Sequence, residues 1–232
     1  MKRTRIMNIT KTVTAALICA VSLCSATTIG RSQILTCPHC GQTKEIMSLM
    51  SGNTFGAKFW SDNKRVAPML PEISYVQKCL HCAKYFIRSR QKAVYSKSGS
   101  SAERGLLSFA EMKEAFAQLS QEKFRSRDEE STVRMMLHHA YNDFYFRGDT
   151  RRAVAEPDQK LFRENALWLI ENLIKDDVMK AEFYREAGDM KKAKALIEGV
   201  SVDNDFMKKL VATIKEKINN GETAVFLIEQ GK

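Results

Sequence analysis

The sequence predicts two unlike halves: a small β module held together by a metal, followed by an all-α region of helical hairpins. Three observations predict it. Four cysteines form two short pairs, Cys37-Pro38-His39-Cys40 and Cys79-Leu80-His81-Cys82, separated by 38 residues. The chain around those pairs carries β-forming triplets and turn residues. From about residue 106 onward, apolar residues recur at helical spacing between capping signals.

The first half is built around the cysteines. Two residues between thiolates let both sulfurs reach one ion from a single tight turn. Two such turns supply the four tetrahedral ligands, at about 2.3 Å, of a closed zinc site. Cys37, Cys40, Cys79 and Cys82 are the expected ligands. With every position filled, the zinc is structural, not catalytic, and a module this small depends on it to fold. Gly41 after Cys40 permits the positive φ that turns the backbone around a metal, whereas its counterpart after Cys82 is Ala83.

Ile34-Leu35-Thr36, Ile73-Ser74-Tyr75-Val76 and Lys84-Tyr85-Phe86-Ile87 read as short strands. The gap between the pairs exceeds the usual ~15–20 residues of compact sites, which predicts an ordered hairpin insertion. Ser61-Asp62-Asn63-Lys64 is turn material within it, and Phe55, Phe59 and Trp60 are expected to cover the small core. The module spans 34–90. Residues 91–105, with Ser96-Lys97-Ser98-Gly99-Ser100-Ser101, form a linker with nothing to bury.

The second half spans 106–221. Ser108-Phe109-Ala110-Glu111 is a capping box, followed by Met112, Ala115, Phe116 and Leu119 on one face. A second helix over 131–147 places Met135, Met136, His139, Ala140, Phe144 and Tyr145 for burial, with Gly148 after its end. Pro157 occupies the first turn of a third helix, whose stripe is Leu161, Phe162, Leu167, Trp168, Ile170 and Leu173. Further helices follow over 177–187, 190–198 and 203–218. The apolar tail 222–232 ends the chain as a helical turn or a strand.

The helical half repeats itself weakly. Phe144-x3-Gly148-Asp149-x-Arg151-Arg152-Ala153 is echoed, 40 residues on, by Tyr184-x3-Gly188-Asp189-x-Lys191-Lys192-Ala193. An aromatic ends one helix, Gly-Asp turns, and a small Ala lets the next helix pack closely. With Ala181 and Ile197, the second copy resembles a tetratricopeptide hairpin. The whole chain resembles bacterial proteins that join a zinc ribbon to a tetratricopeptide-like helical region. The resemblance implies a zinc ribbon over 34–90 and a protein- or peptide-binding surface on the helices.

The first 26 residues follow the secretory plan: a basic segment from Lys2 to Lys11, an apolar run TVTAALICAVSLCSA, and small residues Cys24 and Ala26 at the cleavage positions. Export is expected. An uncleaved anchor extending to Ile29, or a cytoplasmic product from a misassigned start, are the alternatives. Cys19 and Cys24 fall in this segment. Of the net charge of +10, the segment holds four, Lys2, Arg3, Arg5 and Lys11. A surplus of +6 spread over the rest suits solubility, where nucleic acid would want charge concentrated on one face.

Cys-Pro-His-Cys is also similar to the active-site tetrapeptide of a periplasmic thiol oxidase family with a thioredoxin fold. That alternative makes the protein an extracytoplasmic thiol-disulfide oxidoreductase using Cys37 and Cys40. It needs a strand before the first cysteine and a helix after it to lower the thiol pKa. Residues 27–36 are too few for the β-α-β unit that comes first, Gly41-Gln42 starts a helix badly, and the second pair is left unexplained. Structural disulfides are the remaining alternative.

His39 and His81 are expected beside the ligand set, not in it. Adjacent helix residues point about 100° apart, so His138-His139 reads as one buried and one exposed side chain. Asp128-Glu129-Glu130 and Asp176-Asp177 complement helix N-termini. Arg147, Arg151, Arg152, Lys191, Lys192 and Lys194 read as a solvated face. No nucleophile elbow, phosphate loop or H-E-x-x-H occurs. The expected function is therefore that of a non-enzymatic, zinc-binding interaction protein, with no small-molecule substrate. The alternative outside the secretory route is a nucleic-acid-binding zinc ribbon, with Lys58, Lys64, Arg65, Lys78, Lys84, Arg88 and Arg90 on phosphates.

Overall fold

A computed structural model of the chain describes residues 27–96, 103–148 and 152–228. The expected leader over 1–26, the stretch 97–102 and Arg151 lie outside the described residues. Among the described residues, ten short strands, six α-helices and one 3-10 turn (Arg88–Arg90) follow in order. Strands β1 (Thr28–Ile29) and β4 (Leu49–Ser51) pair, as do β7 (Val76–Lys78) and β8 (Tyr85–Ile87). A three-stranded sheet orders β3 (Thr43–Ile46), β2 (Gln33–Thr36) and β9 (Val94–Tyr95), and another orders β10 (Leu227–Ile228), β5 (Lys58–Trp60) and β6 (Arg65–Val66). Each of these strand pairs is antiparallel. The helices are α1 (Phe109–Glu122), α2 (Arg127–Tyr145), α3 (Glu156–Asn172), α4 (Asp177–Glu186), α5 (Met190–Glu198) and α6 (Asp205–Asn219).

Local chemistry explains the helix starts. Ser108 Oγ accepts from the Glu111 N–H while Glu111 accepts from Ser108, a complete capping box. Ser126, Asp176, Asp189 and Asn204 cap α2, α4, α5 and α6. Pro157 sits in the first turn of α3, where its missing N–H costs nothing. Among the described residues, no helix is long and apolar enough to cross a membrane.

The halves share a core. Val76, Tyr85 and Ile87 of β7–β8 pack with Phe109, Met112, Ala115 and Leu119 of α1, with Val133, Leu137, Tyr141 and Tyr145 of α2, and with Phe162 of α3. A second core joins α4, α5 and α6 through Val178, Ala181, Ala193, Ile197, Leu210 and Ile214. The cysteine-bearing turns have a small core of their own: Leu35, Ile46, Cys37, Cys79 and Phe86.

Several elements differ from expectation. The stretch 91–105 contributes β9, which pairs with β2, and Glu103, which bridges to Ile46. The tail forms strand β10, pairing Leu227 with Trp60 and Ile228 with Phe59. Phe55 stands 83% exposed at a turn and covers nothing. The buried face of α2 is also rotated from the expected one. Val133, Leu137, His138, Tyr141 and Asn142 are buried, whereas Met135, Met136 and Ala140 are half-buried and Phe144 is exposed. Two polar residues, His138 and Asn142, set that face, so phasing the helix on its apolar residues misses it.

The repeat is uneven. Gly188 adopts φ +80° and Ala193 is fully buried between α4 and α5. Its counterpart Ala153 is exposed, because it precedes α3, which begins only at Glu156.

Candidate metal centre and a buried polar network

The two C-x-x-C turns repeat one backbone pattern. The Cys37 N–H donates to Gln42 O (2.8 Å) and the Gly41 N–H to Cys37 O (2.9 Å). In the second turn, the Cys79 N–H donates to Lys84 O (2.8 Å) and the Ala83 N–H to Cys79 O (2.9 Å). Gly41 has φ +74° and Ala83 φ +58°. The second turn therefore forces an alanine into the left-handed region that glycine occupies freely.

All four expected ligands come together. The Sγ atoms of Cys37, Cys40, Cys79 and Cys82 lie within 4.8 Å of one another. Two approaches cross between turns: Cys37 to Cys82 at 3.7 Å and Cys40 to Cys79 at 3.6 Å. Sulfurs at about 2.3 Å from one tetrahedral ion stand about 3.8 Å apart, while a disulfide needs about 2.05 Å. The cysteines are free thiols spaced to hold a metal ion.

Their electrostatics agree. Burial would raise Cys79, but the N–H groups of Cys82 and His81 and the thiols of Cys40 and Cys82 outweigh it and bring Cys79 down to about 6. Cys40, although the Gln42 N–H favours its thiolate, is pushed up to about 12 by burial and by the neighbouring sulfurs. Burial raises Cys37 as well. Burial and crowding of the sulfurs oppose thiolates at Cys37 and Cys40, and a divalent ion would supply the positive charge that favours them.

His39 and His81 are both exposed, with His39 Nε2 3.2 Å from Tyr85 O. Neither belongs to the sulfur cluster. The cluster is tied to α1. The Tyr85 N–H donates to Gln118 Oε1 (3.1 Å), Gln118 Nε2 donates to Tyr85 O (2.9 Å), and Lys78 pairs with Glu111 at 2.9 Å.

A second polar assembly lies where the β5–β6 hairpin meets the helices. Asn63, at φ +65°, tightens the hairpin tip, and the Trp60 N–H donates to Lys64 O (2.9 Å). The tail clamps the tip: Ser61 N–H donates to Phe226 O (2.9 Å) and Phe226 N–H to Ser61 Oγ (3.1 Å). Asp62 thereby enters the interior with no exposed surface.

It meets α2 and α4 there. Asn142 Nδ2 donates to Asp62 Oδ2 and to Glu186 Oε2, each at 2.9 Å. His138 Nε2 is 3.0 Å from Glu186 Oε2, and His139 Nε2 is 3.3 Å from Asp62 O. Arg147 binds the Asp62 carboxylate and, at 2.6 Å, Asp143. Fully buried Arg185 forks onto Glu182 (2.8 and 2.5 Å) and donates to the Glu222 and Ala224 carbonyls. The His138 ring is clamped between Phe183 (4.4 Å, 9°) and Phe162 (4.6 Å, 26°).

Burial pushes Glu182 and Glu186 up to about 7 and drives His138 and His139 down to about 4. Burial alone would raise Asp62, but the facing His139 and Arg147 hold it below its usual range.

Residue by residue, the sequence was only partly informative here. Of the two histidines His139 was expected inside, but His138 is the fully buried one and His139 is half-buried against Asp62. Arg147 is not part of a solvated face: its side chain is 6% exposed. Glu129 does more than favour a helix dipole. It is buried and receives Arg90 at 2.7 and 2.6 Å. Asp62, Asn142, Glu182, Arg185 and Glu186 were missed. The one available signal was helical phase, which puts Glu182, Arg185 and Glu186 on the face of Val178 and Ala181.

Comparison with family models, curated proteins and solved structures finds no match to this chain.

Proposed function

We propose that this protein is a non-enzymatic, zinc-dependent interaction protein: a zinc ribbon held by Cys37, Cys40, Cys79 and Cys82, joined to a tetratricopeptide-like helical region that binds a protein or peptide. The observation that carries the reading is the sulfur geometry, with cross-turn separations of 3.7 and 3.6 Å, close to the edge of a zinc–thiolate tetrahedron. A four-sulfur site has no open position for substrate, so zinc acts there as a staple. Two further observations support the helical region as the working surface. The ribbon is packed on α1 through Tyr85 and Gln118 and so is rigidly mounted. An open groove between α1, α2 and α3 presents Phe124, Arg127 and Trp168.

The redox alternative is disfavoured, because the sulfurs of the two turns meet at 3.7 and 3.6 Å and draw the second pair into one cluster with the first, which a lone Cys37–Cys40 redox pair does not need. The nucleic-acid alternative loses four of its seven cations to internal partners: Lys64 to Asp143, Lys78 to Glu111, Arg88 to Gln33 and Arg90 to Glu129. By the reading of the leader, the product is exported.

Cobalt replacement tests the reading. Thiolate-to-cobalt charge-transfer absorption is expected in the wild type and absent from Cys37→Ser, with no insulin reduction by either. A metal-free protein that cycles a Cys37–Cys40 disulfide would overturn it. N-terminal sequencing of the native product is expected to start at residue 27.

A further inference from the structure

We infer that Asp62, His138 and Glu186 form a second metal site, a buried nitrogen- and oxygen-donor site for a divalent transition metal, independent of the cysteine cluster. One donor atom from each lies within 4.8 Å of the other two, and all three residues are buried. They come from the hairpin tip, α2 and α4, so only the folded chain assembles them.

Three features favour a cation over a plain hydrogen-bonded network. The first is unfinished bonding. Glu186 Oε1, Asn142 Oδ1 and His138 Nδ1 are buried and have no hydrogen-bond partner. Buried polar atoms are rarely left so, and three converge here on residues that touch one another. Asn142 donates through Nδ2 to both carboxylates. Rotating its amide by 180° exchanges Nδ2 for Oδ1 and turns a bridge between the carboxylates into a fourth donor.

The second is charge. Arg147 neutralises Asp62, and Arg185 neutralises Glu182. Glu186, at zero side-chain exposure, meets neutral His138 and Asn142 and the Glu182 carboxyl, while the Arg185 that also acts on it is already forked onto Glu182. A buried carboxylate whose cation is shared with a neighbouring carboxylate is relieved by a proton or a second cation. A single proton can satisfy only one of the unpartnered atoms, whereas a cation engages Glu186, Asp62 and the amide oxygen together.

The third is preorganisation. Phe162 and Phe183 fix the His138 ring, and Arg147 fixes the Asp62 carboxylate from outside the set. Orienting partners of this kind hold ligands in place in metal sites. One imidazole with two carboxylates suits manganese, iron, cobalt or zinc; calcium and magnesium prefer oxygen alone.

Metal content of the full-length protein tests the inference, after expression with added manganese, iron and zinc and then extensive dialysis. Two equivalents per chain are expected. Glu186→Gln and Asp62→Asn should each lose one equivalent, weakening that site more than about 10–100-fold, and keep the cobalt–thiolate absorption. Cys37→Ser should keep the nitrogen- and oxygen-bound equivalent, so the two sites can fail separately. Added manganese or zinc should raise the melting temperature of Cys37→Ser but not that of Cys37→Ser/Glu186→Gln. The inference is overturned if the wild type holds only cysteine-bound metal, or if Glu186→Gln keeps both equivalents.

Discussion

The cysteine cluster and the Asp62–His138–Glu186 network are assembled by opposite routes. Each cysteine pair is preformed by its own turn, with the same two backbone bonds in both copies, and folding only has to bring two turns together. The network has no local unit. Its residues come from a hairpin tip, two helices and a tail clamp, and each is held by the others. A local motif tolerates change around it, whereas a distributed network fails as a whole when one buried partner is removed.

Metal removal tests that contrast most severely. A structural zinc contributes about 10–16 kcal/mol of apparent binding free energy, comparable to the whole stability of a domain at about 5–15 kcal/mol. Chelation or Cys79→Ser is expected to unfold the two cysteine-bearing turns and loosen the β7–β8 pair, leaving the tail-clamped β5–β6 hairpin seated on the helices. Because Val76, Tyr85 and Ile87 are part of the α1–α2 core, circular dichroism should also show helix melting at lower temperature. Helices unchanged in melting would break the picture of a shared core.

Arg185→Ala comes next. It leaves Glu182 buried and uncompensated beside Glu186, and urea unfolding should show a loss of about 3–5 kcal/mol. Glu129→Gln is smaller, about 1.5–3 kcal/mol, and has a pH signature. The hydrogen bonds from Arg90 hold the Glu129 carboxyl below its ordinary value of 4.5. A lowered folded-state pKa stabilises the fold above about pH 4.5, and the contribution fades as pH falls through the folded value. Wild type and variant should therefore converge in acid.

The smallest expected effect compares the two turns directly. Ala83→Gly relieves a left-handed alanine at φ +58° and should raise stability by about 1 kcal/mol. Gly41→Ala should lower it by a similar amount. A loss in Ala83→Gly would show that the turns are not equivalent.

Legibility in the sequence follows the same divide. The four cysteines, the Ser108 capping box, Pro157 at the start of α3 and the Gly188 turn were readable because each acts within a few residues of itself. The hairpin insertion was readable from the long gap, but its purpose was not: its tip carries Asp62 across to the helices. The α2 face was misphased because His138 and Asn142 look like surface residues until Glu186 and Asp62 face them. The strand β10 was undecidable for the same reason, since two residues become a strand only when β5 lies alongside.

The sequence by itself determined the turns, the helix ends and the grouping of thiols, because spacing, capping and backbone φ are set by near neighbours. Tertiary structure alone decided which polar residues went inside. Burying Asp62, His138, Glu182, Arg185 and Glu186 is tolerable only where distant partners supply charge and hydrogen bonds, and no local pattern records where those partners will stand.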